Sequence, residues 1–295
     1  MAYGLFTSNG LDSYLDSNYT MDIVYGKTKV NFSGSTVGIA HYDPEPSSSK
    51  HYGSMYRYGS LRIPKMHPCT ATVTAPSVVE GYYHRYLNPQ MRLYIGTDTG
   101  WAVGYSEHAV TEDADSITLH DVDVFGWNRT GYQANHVSGT LYAVLGGALP
   151  SNPKVPDNGI VAYSNQGKVS FSSYYEPLQI RGIVDHHTQP RPETGHVNAT
   201  VFNSSVYALP SEAEPSKVIL FPSVSSLDLL SNHNGNGGKP NCGGSLRLYA
   251  FSNGQYGYRP NRAYARIYAG VDYSSHHQLD GSGNKGFYIY GKDYL

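Results

Sequence analysis

A run of acidic residues is the first place in this sequence where side chains of suitable type and spacing could do chemistry. The stretch TEDADSITLHDVDVFGW holds five carboxylates within twelve residues, namely Glu112, Asp113, Asp115, Asp121 and Asp123. The first three are typical of a turn, whereas the last two lie two residues apart on a strand pattern and share one face. Such carboxylates could hold Ca²⁺ or form the carboxylate pair of a glycosidase. We favour the simpler interpretation, a solvated turn followed by the outward face of a strand.

Histidine could also bind a metal, because the chain has 13 histidines, including the doublets His186-His187 and His276-His277. Adjacent strand residues point to opposite faces, so one doublet cannot direct both rings to a metal within a chain. A ring of histidines around a symmetry axis could still do so between subunits. The sequence contains no nucleophile elbow, zincin motif, P-loop or dinucleotide fingerprint. We therefore predict a non-enzymatic protein with no catalytic residue, no bound metal and no cofactor.

Tyrosine is the most unusual part of the composition, with 28 residues against 8 phenylalanines. Exposed aromatic rings can stack on host glycans or pack against other proteins, and Tyr also serves in ordinary strands. The sequence leaves these three roles open, and we prefer protein interfaces. The candidate contact residues come from three Tyr-rich stretches and one tryptophan: Tyr52, Tyr56, Tyr58, Tyr82, Tyr83, Tyr86, Trp101, Tyr256, Tyr258 and Tyr264.

Charge and hydropathy argue against several classes of partner. The net charge is −2 and no run of Lys or Arg occurs, so we expect no nucleic-acid binding. The apolar runs are far shorter than the roughly 20 residues that span a bilayer, so we expect no membrane insertion. The start MAYGLFTSNG is not typical of a secretory signal, which favours synthesis in a cytoplasm. Cys69 and Cys242 are interpreted as free thiols, although their pairing stays open.

Four short segments recur in the same order in the two halves of the chain, which indicates a tandem duplication. The matches are YGLF (3–6) with NGIV (158–161), TAPSV (74–78) with LFPSV (220–224), MRLYIG (91–96) with LRLYAF (246–251), and SGTLYAVLG (138–146) with KGFYIYG (285–291). Between the halves, residues 149–156 carry Pro150, Pro153 and Pro156, a composition typical of a semi-extended linker. We therefore predict an N-terminal module over 1–148 and a C-terminal module over 157–295.

Short runs rich in Val, Ile, Thr and Tyr, bounded by Gly, Pro, Asn and Ser, are typical of strands. No stretch has the spacing and caps of a long helix. The predicted fold is therefore mainly β, with two tandem β-sandwich domains of jelly-roll or immunoglobulin-like type related by internal duplication.

Each predicted module begins with the pattern of a β-hairpin. Apolar residues flank SNG in the first copy and SNQG in the second, and Asn and Gly tolerate the positive φ of tight turns. The signature residues of the two hairpins are Gly4, Asn9, Gly10, Gly159, Asn165 and Gly167.

The N-terminal residues of the first hairpin carry a family resemblance. They comprise Tyr3, Gly4, Leu5, Asn9, Gly10, Leu15, Asp16 and Ser17. This pattern resembles the N-termini of small tail-associated structural proteins of tailed bacteriophages, which are about half as long as this chain. The resemblance implies a virion protein that is made in the host cytoplasm and contacts other virion proteins.

These observations lead to one preferred function and two alternatives. The preferred function is a structural component of the tail, baseplate or tail-fibre region that forms a symmetric homo-oligomer through Tyr-rich β surfaces. The first alternative is a receptor-binding, glycan-binding or capsid-decorating module of a virion. The second is a β-sandwich polysaccharide hydrolase, whose candidate carboxylates would be Asp113, Asp115, Asp121 and Asp123.

Overall fold

The fold was analysed in a computed structural model, whose described residues form antiparallel strands and short turns. These residues are 4–7, 13–16, 20–41, 51–76, 83–88, 90–99, 101–105, 110–128, 136–185, 206–208, 211–222, 228–230, 243–250, 255–260 and 285–295. The strands within them are β1 Gly4–Thr7, β2 Ser13–Asp16, β3 Asp22–Ser35, β4 Val37–His41, β5 His51–Pro64, β6 Thr72–Pro76, β7 Tyr83–Leu87, β8 Met91–Thr97, β9 Ala102–Gly104, β10 Thr111–Glu112, β11 Ser116–Asn128, β12 His136–Ala148, β13 Val161–Tyr163, β14 Val169–Ser172, β15 Gly182–Asp185, β16 Val206–Ala208, β17 Ile219–Pro222, β18 Asp228–Leu230, β19 Gly243–Ala250, β20 Gln255–Pro260 and β21 Lys285–Tyr290. Short 3-10 helices occupy Pro215–Lys217 and Gly291–Asp293. The predicted mainly β class is confirmed.

Two larger sheets face each other across one hydrophobic core. The first has the strand order β15-β21-β17-β8-β12-β3, and the second has the order β10-β11-β5-β4 with β9 also paired to β11. The core joins Ile23 and Leu141 of the first sheet with Ile63, Leu119 and Val124 of the second, all essentially inaccessible to solvent. The alternating apolar residues of β5 and β11 supply their half of this core, as the period of a strand requires.

The central strands of the first sheet are buried on both faces. Along β12, Leu141, Ala143 and Leu145 pack in the core between the sheets, whereas Tyr142 and Val144 belong to a second apolar cluster on the opposite face. That cluster is completed by Leu178, Val218, Leu220, Ile289 and Tyr294 from the C-terminal half. A strand covered on both sides has a continuous apolar run, which explains the sequence LYAVLGG.

Strands from both predicted modules lie in the six-stranded sheet. In β17, Phe221 pairs with Ile95 and Pro222 pairs with Tyr94 of β8. Residues 149–156 form no strand, yet Leu149 is buried and its amide donates to the Met21 carbonyl over 3.1 Å. The proposed boundary between modules therefore does not separate two independent sheets, and the division into modules stays a prediction.

Both predicted hairpins are present. Strands β1 and β2 pair antiparallel, with Leu5 opposite Leu15, and β13 pairs antiparallel with β14. The other three repeated segments also overlap strands in each half, but their partners differ. Thus β8 pairs with β12, whereas their counterparts β19 and β21 have other partners among the described residues. The pairing does not reproduce the repeat, so the duplication stays a prediction.

Across the described ranges, no helix has the length and apolar character needed to cross a bilayer.

Candidate interaction surface

The acidic stretch contains a nearly buried ion pair. Glu112 Oε1 lies 2.6 Å from Lys65 Nζ, and the two side chains are 11% and 5% exposed. Lys65 Nζ also donates to the carbonyls of Cys69 at 3.1 Å and Asp113 at 2.8 Å. The ammonium therefore has three acceptors, which is as many as it can use.

The Glu112 carboxylate is equally well satisfied. It accepts the backbone amides of Ala71 and Thr72 at 2.8 and 3.0 Å and the Thr72 hydroxyl at 2.6 Å. Burial acts to raise the pKa of Glu112, but hydrogen bonds from Lys65, Thr72 and Ala71 outweigh it and hold that pKa below its usual value. This carboxylate joins β10 to Ala71 and to Thr72, the first residue of β6. Its role is therefore structural.

Two other carboxylates of the stretch also have protein partners. Asp113 caps the tight turn before β11, accepting the amides of Asp115 and Ser116 at 2.8 and 2.6 Å and the Ser116 hydroxyl at 2.9 Å. These bonds, led by that from Asp115, lower the pKa of Asp113. Asp123 pairs with Arg57 at 3.2 Å on the outward face of β11. The favoured interpretation as a solvated turn fits Asp113 and Asp115, which are exposed, but it is wrong for Glu112, which lies on β10 with a nearly buried side chain.

Strand β11 contains a β-bulge that includes Asp121. The register with β5 shifts between Leu119 and Val122, and Asp121 has a φ of 51°. Both flanking residues, Leu119 and Val122, are fully buried, so the inserted residue keeps the apolar side chains facing the core.

The described residues offer no grouped metal ligands. The described part of the chain holds no group of three or more His, Cys, Asp or Glu side chains placed to bind a metal ion. The doublets His186-His187 and His276-His277, and Cys242, lie outside the described residues. Cys69 is a free, half-buried thiol, and burial raises its pKa.

Three of the predicted aromatic contact residues pack against the core. Tyr56, Tyr58 and Trp101 are partly buried there. The Tyr56 ring stacks on Phe32 with centroids 5.7 Å apart and an angle of 27°. Gly34 also lies directly beneath this ring, where a Cβ atom would collide with it. These contacts give Tyr56 a structural role between the two sheets.

The remaining predicted contact residues are only partly described. Tyr52, Tyr83, Tyr86, Tyr256 and Tyr258 lie on strands, but their side chains are not among those the structure describes. Tyr82 and Tyr264 fall outside the described residues, as do Asn9 and Gly10 of the first hairpin signature. Gly4 begins β1.

The second hairpin is described with its side chains, and its turn follows the prediction. Gly167 has a φ of 74°, the left-handed conformation that glycine adopts readily, whereas Asn165 does not have a positive φ. The Gly167 amide donates to the Ser164 carbonyl at 2.9 Å, and the Ser164 amide donates to the Lys168 carbonyl at 2.7 Å.

The side chains of this hairpin follow an inverted pattern. Ser170 and Ser172 of β14 face inward and are 5% and 0% exposed. Phe171 and its register partner Ala162 lie on the opposite, outward side, whereas the register shifts between Ala162 and Tyr163, so Tyr163 and its partner Val169 do not continue that side. Ile160 is opposite Ser173 and completes the same side, because the Ser173 amide donates to the Ile160 carbonyl. We call Ile160, Ala162 and Phe171 the outer hairpin face.

The outer hairpin face is open to solvent. Ile160 is 56% exposed, while Ala162 and Phe171 are half-buried. The Ile160 side chain is therefore available for contact with a partner.

Backbone hydrogen bonds join the hairpin and the segment after it to β3 and to the residue before β3. The Met21 amide donates to the Ser170 carbonyl at 3.0 Å, and the Val24 amide donates to the Glu176 carbonyl at 2.9 Å. An ion pair of 2.7 Å between Lys27 and Glu176 adds to these bonds. The second hairpin is therefore attached to the main core.

An aromatic cluster lies beside this face. The Tyr174 ring is 42% exposed, with the Lys154 ammonium 5.3 Å from its centroid. The His67 ring contacts Tyr174 and Tyr175, with centroid distances of 5.7 and 4.7 Å. The Tyr175 hydroxyl accepts the Lys154 amide at 2.9 Å. This cluster offers an exposed ring, a cation and an imidazole within a few ångströms of one another.

The sequence interpretation did not single out Ile160, Tyr163 or Tyr174. A signal was present, because the alternation Val169-Ser170-Phe171-Ser172 places small polar residues on one face and apolar residues on the other. Which face would be buried depended on the packing against β3.

Comparison with known proteins adds no assignment to this geometry. No protein-family model, no curated protein and no solved structure matches the chain.

Proposed function

We propose that this chain is a non-enzymatic structural component of a bacteriophage virion, in the tail, baseplate or tail-fibre region. The observation that carries the proposal is the outer hairpin face, an exposed apolar surface on a hairpin anchored to a core of two sheets. The resemblance of the first residues to tail-associated proteins supplies the biological setting.

The proposed role is mechanical. A β scaffold with low charge and exposed residues such as Ile160, Tyr163 and Tyr174 suits permanent contacts between subunits, since the centres of such interfaces are depleted of charge and enriched in aromatics. Within the acidic stretch, Glu112, Asp113 and Asp123 bond to other groups of the fold. We also propose that the two halves arose by duplication into sandwich-like modules, because repeated segments form strands in each half.

The proposal is tested in two steps that answer different questions. Mass spectrometry of purified particles of the phage whose genome encodes the chain asks whether it is a virion component, and immunogold labelling locates it. Light scattering of the purified protein asks whether it forms an oligomer. Presence in washed particles supports the proposal, and absence from them overturns it.

Glycan binding is a second candidate function, favoured by the cluster around Tyr174. An exposed aromatic ring can stack on a sugar, and the adjacent Lys154 could bind an acidic substituent. A glycan array with the wild type and the Tyr174→Ala variant tests this alternative. Binding that the variant loses would favour a receptor-binding module, and an array without binding would leave the structural role as the better proposal.

A further inference from the structure

An asparagine–glycine pair lies at the base of the second hairpin. Asn158 and Gly159 are both exposed and come immediately before Ile160. Four other such pairs lie outside the described residues and begin at Asn9, Asn234, Asn236 and Asn253. The pair at 158 is therefore the one whose surroundings the structure describes.

Packing explains why position 159 is a glycine. A Cβ atom there would collide with the Ser173 hydroxyl and with the ring of Pro156. Ser173 also holds the next residue, because its hydroxyl accepts the Ile160 amide at 2.9 Å and its amide donates to the Ile160 carbonyl at 2.9 Å. The fold thus requires the glycine, which leaves its backbone nitrogen unshielded by a side chain.

The Gly159 amide decides how reactive the preceding asparagine can be. Among the described residues, no acceptor binds the Gly159 amide and no group bonds to the Asn158 side chain. Asn165, at the turn of the same hairpin, is also exposed, but it is followed by Gln166. The Gln166 amide donates to the Ser164 hydroxyl at 3.3 Å. The two exposed asparagines therefore differ in whether the following amide is already bonded.

We propose that Asn158 is a site of spontaneous deamidation. The Gly159 nitrogen loses its proton to hydroxide and attacks Cγ of Asn158, so that a new carbon–nitrogen bond forms. The side-chain nitrogen takes up a proton from water and leaves as ammonia. The attack is favoured because both groups are held in one chain. Water then opens the cyclic imide at either carbonyl, which leaves an aspartyl or an isoaspartyl residue at position 158.

Either product changes the base of the second hairpin. Each adds a negative charge beside Asp157, and the isoaspartyl form also lengthens the backbone by one carbon atom two residues before Ile160. The longer backbone is expected to disturb the two hydrogen bonds between Ile160 and Ser173. The inference goes beyond the proposed function and does not depend on it.

The first test follows the folded protein during incubation in neutral and in mildly alkaline buffer. Trypsin releases residues 155–168 as one peptide, so Asn158 and Asn165 are compared within the same molecule. Conversion raises the peptide mass by about 1 Da, and fragmentation assigns the change to one position. We expect conversion at Asn158 to be faster than at Asn165 by about tenfold or more. It should be faster still in alkali, because the attacking nitrogen must lose a proton.

Two variants and an unfolded sample complete the test. Asn158→Gln keeps an amide at this exposed position but would have to close a larger ring, so rapid conversion should disappear from the peptide. Asn165→Gln is the matched control on the same hairpin and should leave it unchanged. The same incubation in urea measures conversion of the pair without the fold.

The outcomes decide the proposal without reference to the virion. Equal conversion at the two asparagines, or conversion at Asn158 that becomes rapid only in urea, would overturn it, because the fold would then protect the pair. Conversion in the folded chain that Asn158→Gln abolishes and Asn165→Gln preserves supports it. Whether the chain is found in purified particles bears on the proposed function alone.

Discussion

Lys65 and Glu112 form the least exposed ion pair of the described residues, with Nζ and Oε1 2.6 Å apart. The pair joins the segment after β5 to β10. Lys65 also donates to the carbonyl of Asp113, next to Glu112, and Glu112 accepts a hydrogen bond from the amide of Ala71, in the segment after β5. The pair gives Glu112 a structural role in the fold.

The first prediction concerns this pair. Lys65→Met leaves the Glu112 carboxylate nearly buried without its cation, and we expect the free energy of unfolding to fall by about 3 kcal/mol. Lys217→Met is the control, because Lys217 and Glu214 form an exposed pair at 3.2 Å and its loss should cost at most about 1 kcal/mol. Urea unfolding measures both. Equal losses in the two variants would show that the nearly buried pair contributes no more to the free energy of unfolding than the exposed pair.

The second prediction concerns pH. Burial, followed by the nearby Lys154 ammonium, lowers the pKa of His67 from 6.5, and Glu176 opposes this shift. The unfolded chain then binds a proton more readily than the folded chain, so stability should decrease as pH falls below about 6.5. His67→Phe keeps a ring between Tyr174 and Tyr175 and should reduce this dependence.

Thermal unfolding at a series of pH values above and below about 6.5 measures the effect of His67 on stability. His136→Gln is a suitable control, since His136 is exposed and contacts Ser33 instead. If the stability of His67→Phe depended on pH as strongly as that of the wild type, the assignment of this dependence to His67 would be wrong.

The third prediction concerns the bulge in β11. Asp121 has a φ of 51°, a conformation that Asp and Gly tolerate and that β-branched residues avoid. We expect Asp121→Val to lower the free energy of unfolding by about 1–2 kcal/mol, and Asp121→Gly to change it by less. Chemical denaturation of the two variants checks this. Equal stability of both would mean that the positive φ is not maintained in solution.

The fourth prediction separates structural from surface tyrosines. Tyr56 packs on Phe32 and Gly34, so Tyr56→Ala should destabilise the fold by about 2 kcal/mol. Tyr163 is 55% exposed, and Tyr163→Ala should change the stability of the monomer by no more than about 0.5 kcal/mol. The comparison is made below the concentration at which copies associate. A larger loss of stability in Tyr163→Ala than in Tyr56→Ala would contradict the structural role of Tyr56 and the surface position of Tyr163.

The sequence predicted features that depend on neighbouring residues. Strand periodicity indicated the mainly β class, and the SNQG turn indicated the second hairpin, where Gly167 adopts its positive φ. The acidic turn at Asp113 was also recognisable, because a short side chain that caps nearby amides acts over three residues.

The aromatic site was harder to predict. Tyr56, Tyr58 and Trp101 were expected at contacts with a partner but pack against the core, whereas Tyr163 and Tyr174 are exposed. A tyrosine fits either position, because its ring is apolar and its hydroxyl is polar. Composition alone cannot distinguish the two environments.

The sequence by itself thus determined the strands and their tight turns, because φ preferences and two-residue alternation act within a few residues. Only the tertiary structure decided that Phe221 of the C-terminal half pairs with Ile95, that Lys65 reaches Glu112, and that Ser170 faces inward while Ile160 faces solvent. These relationships join residues far apart in the chain, and a strand pattern specifies two faces without specifying its partner or which face will be covered.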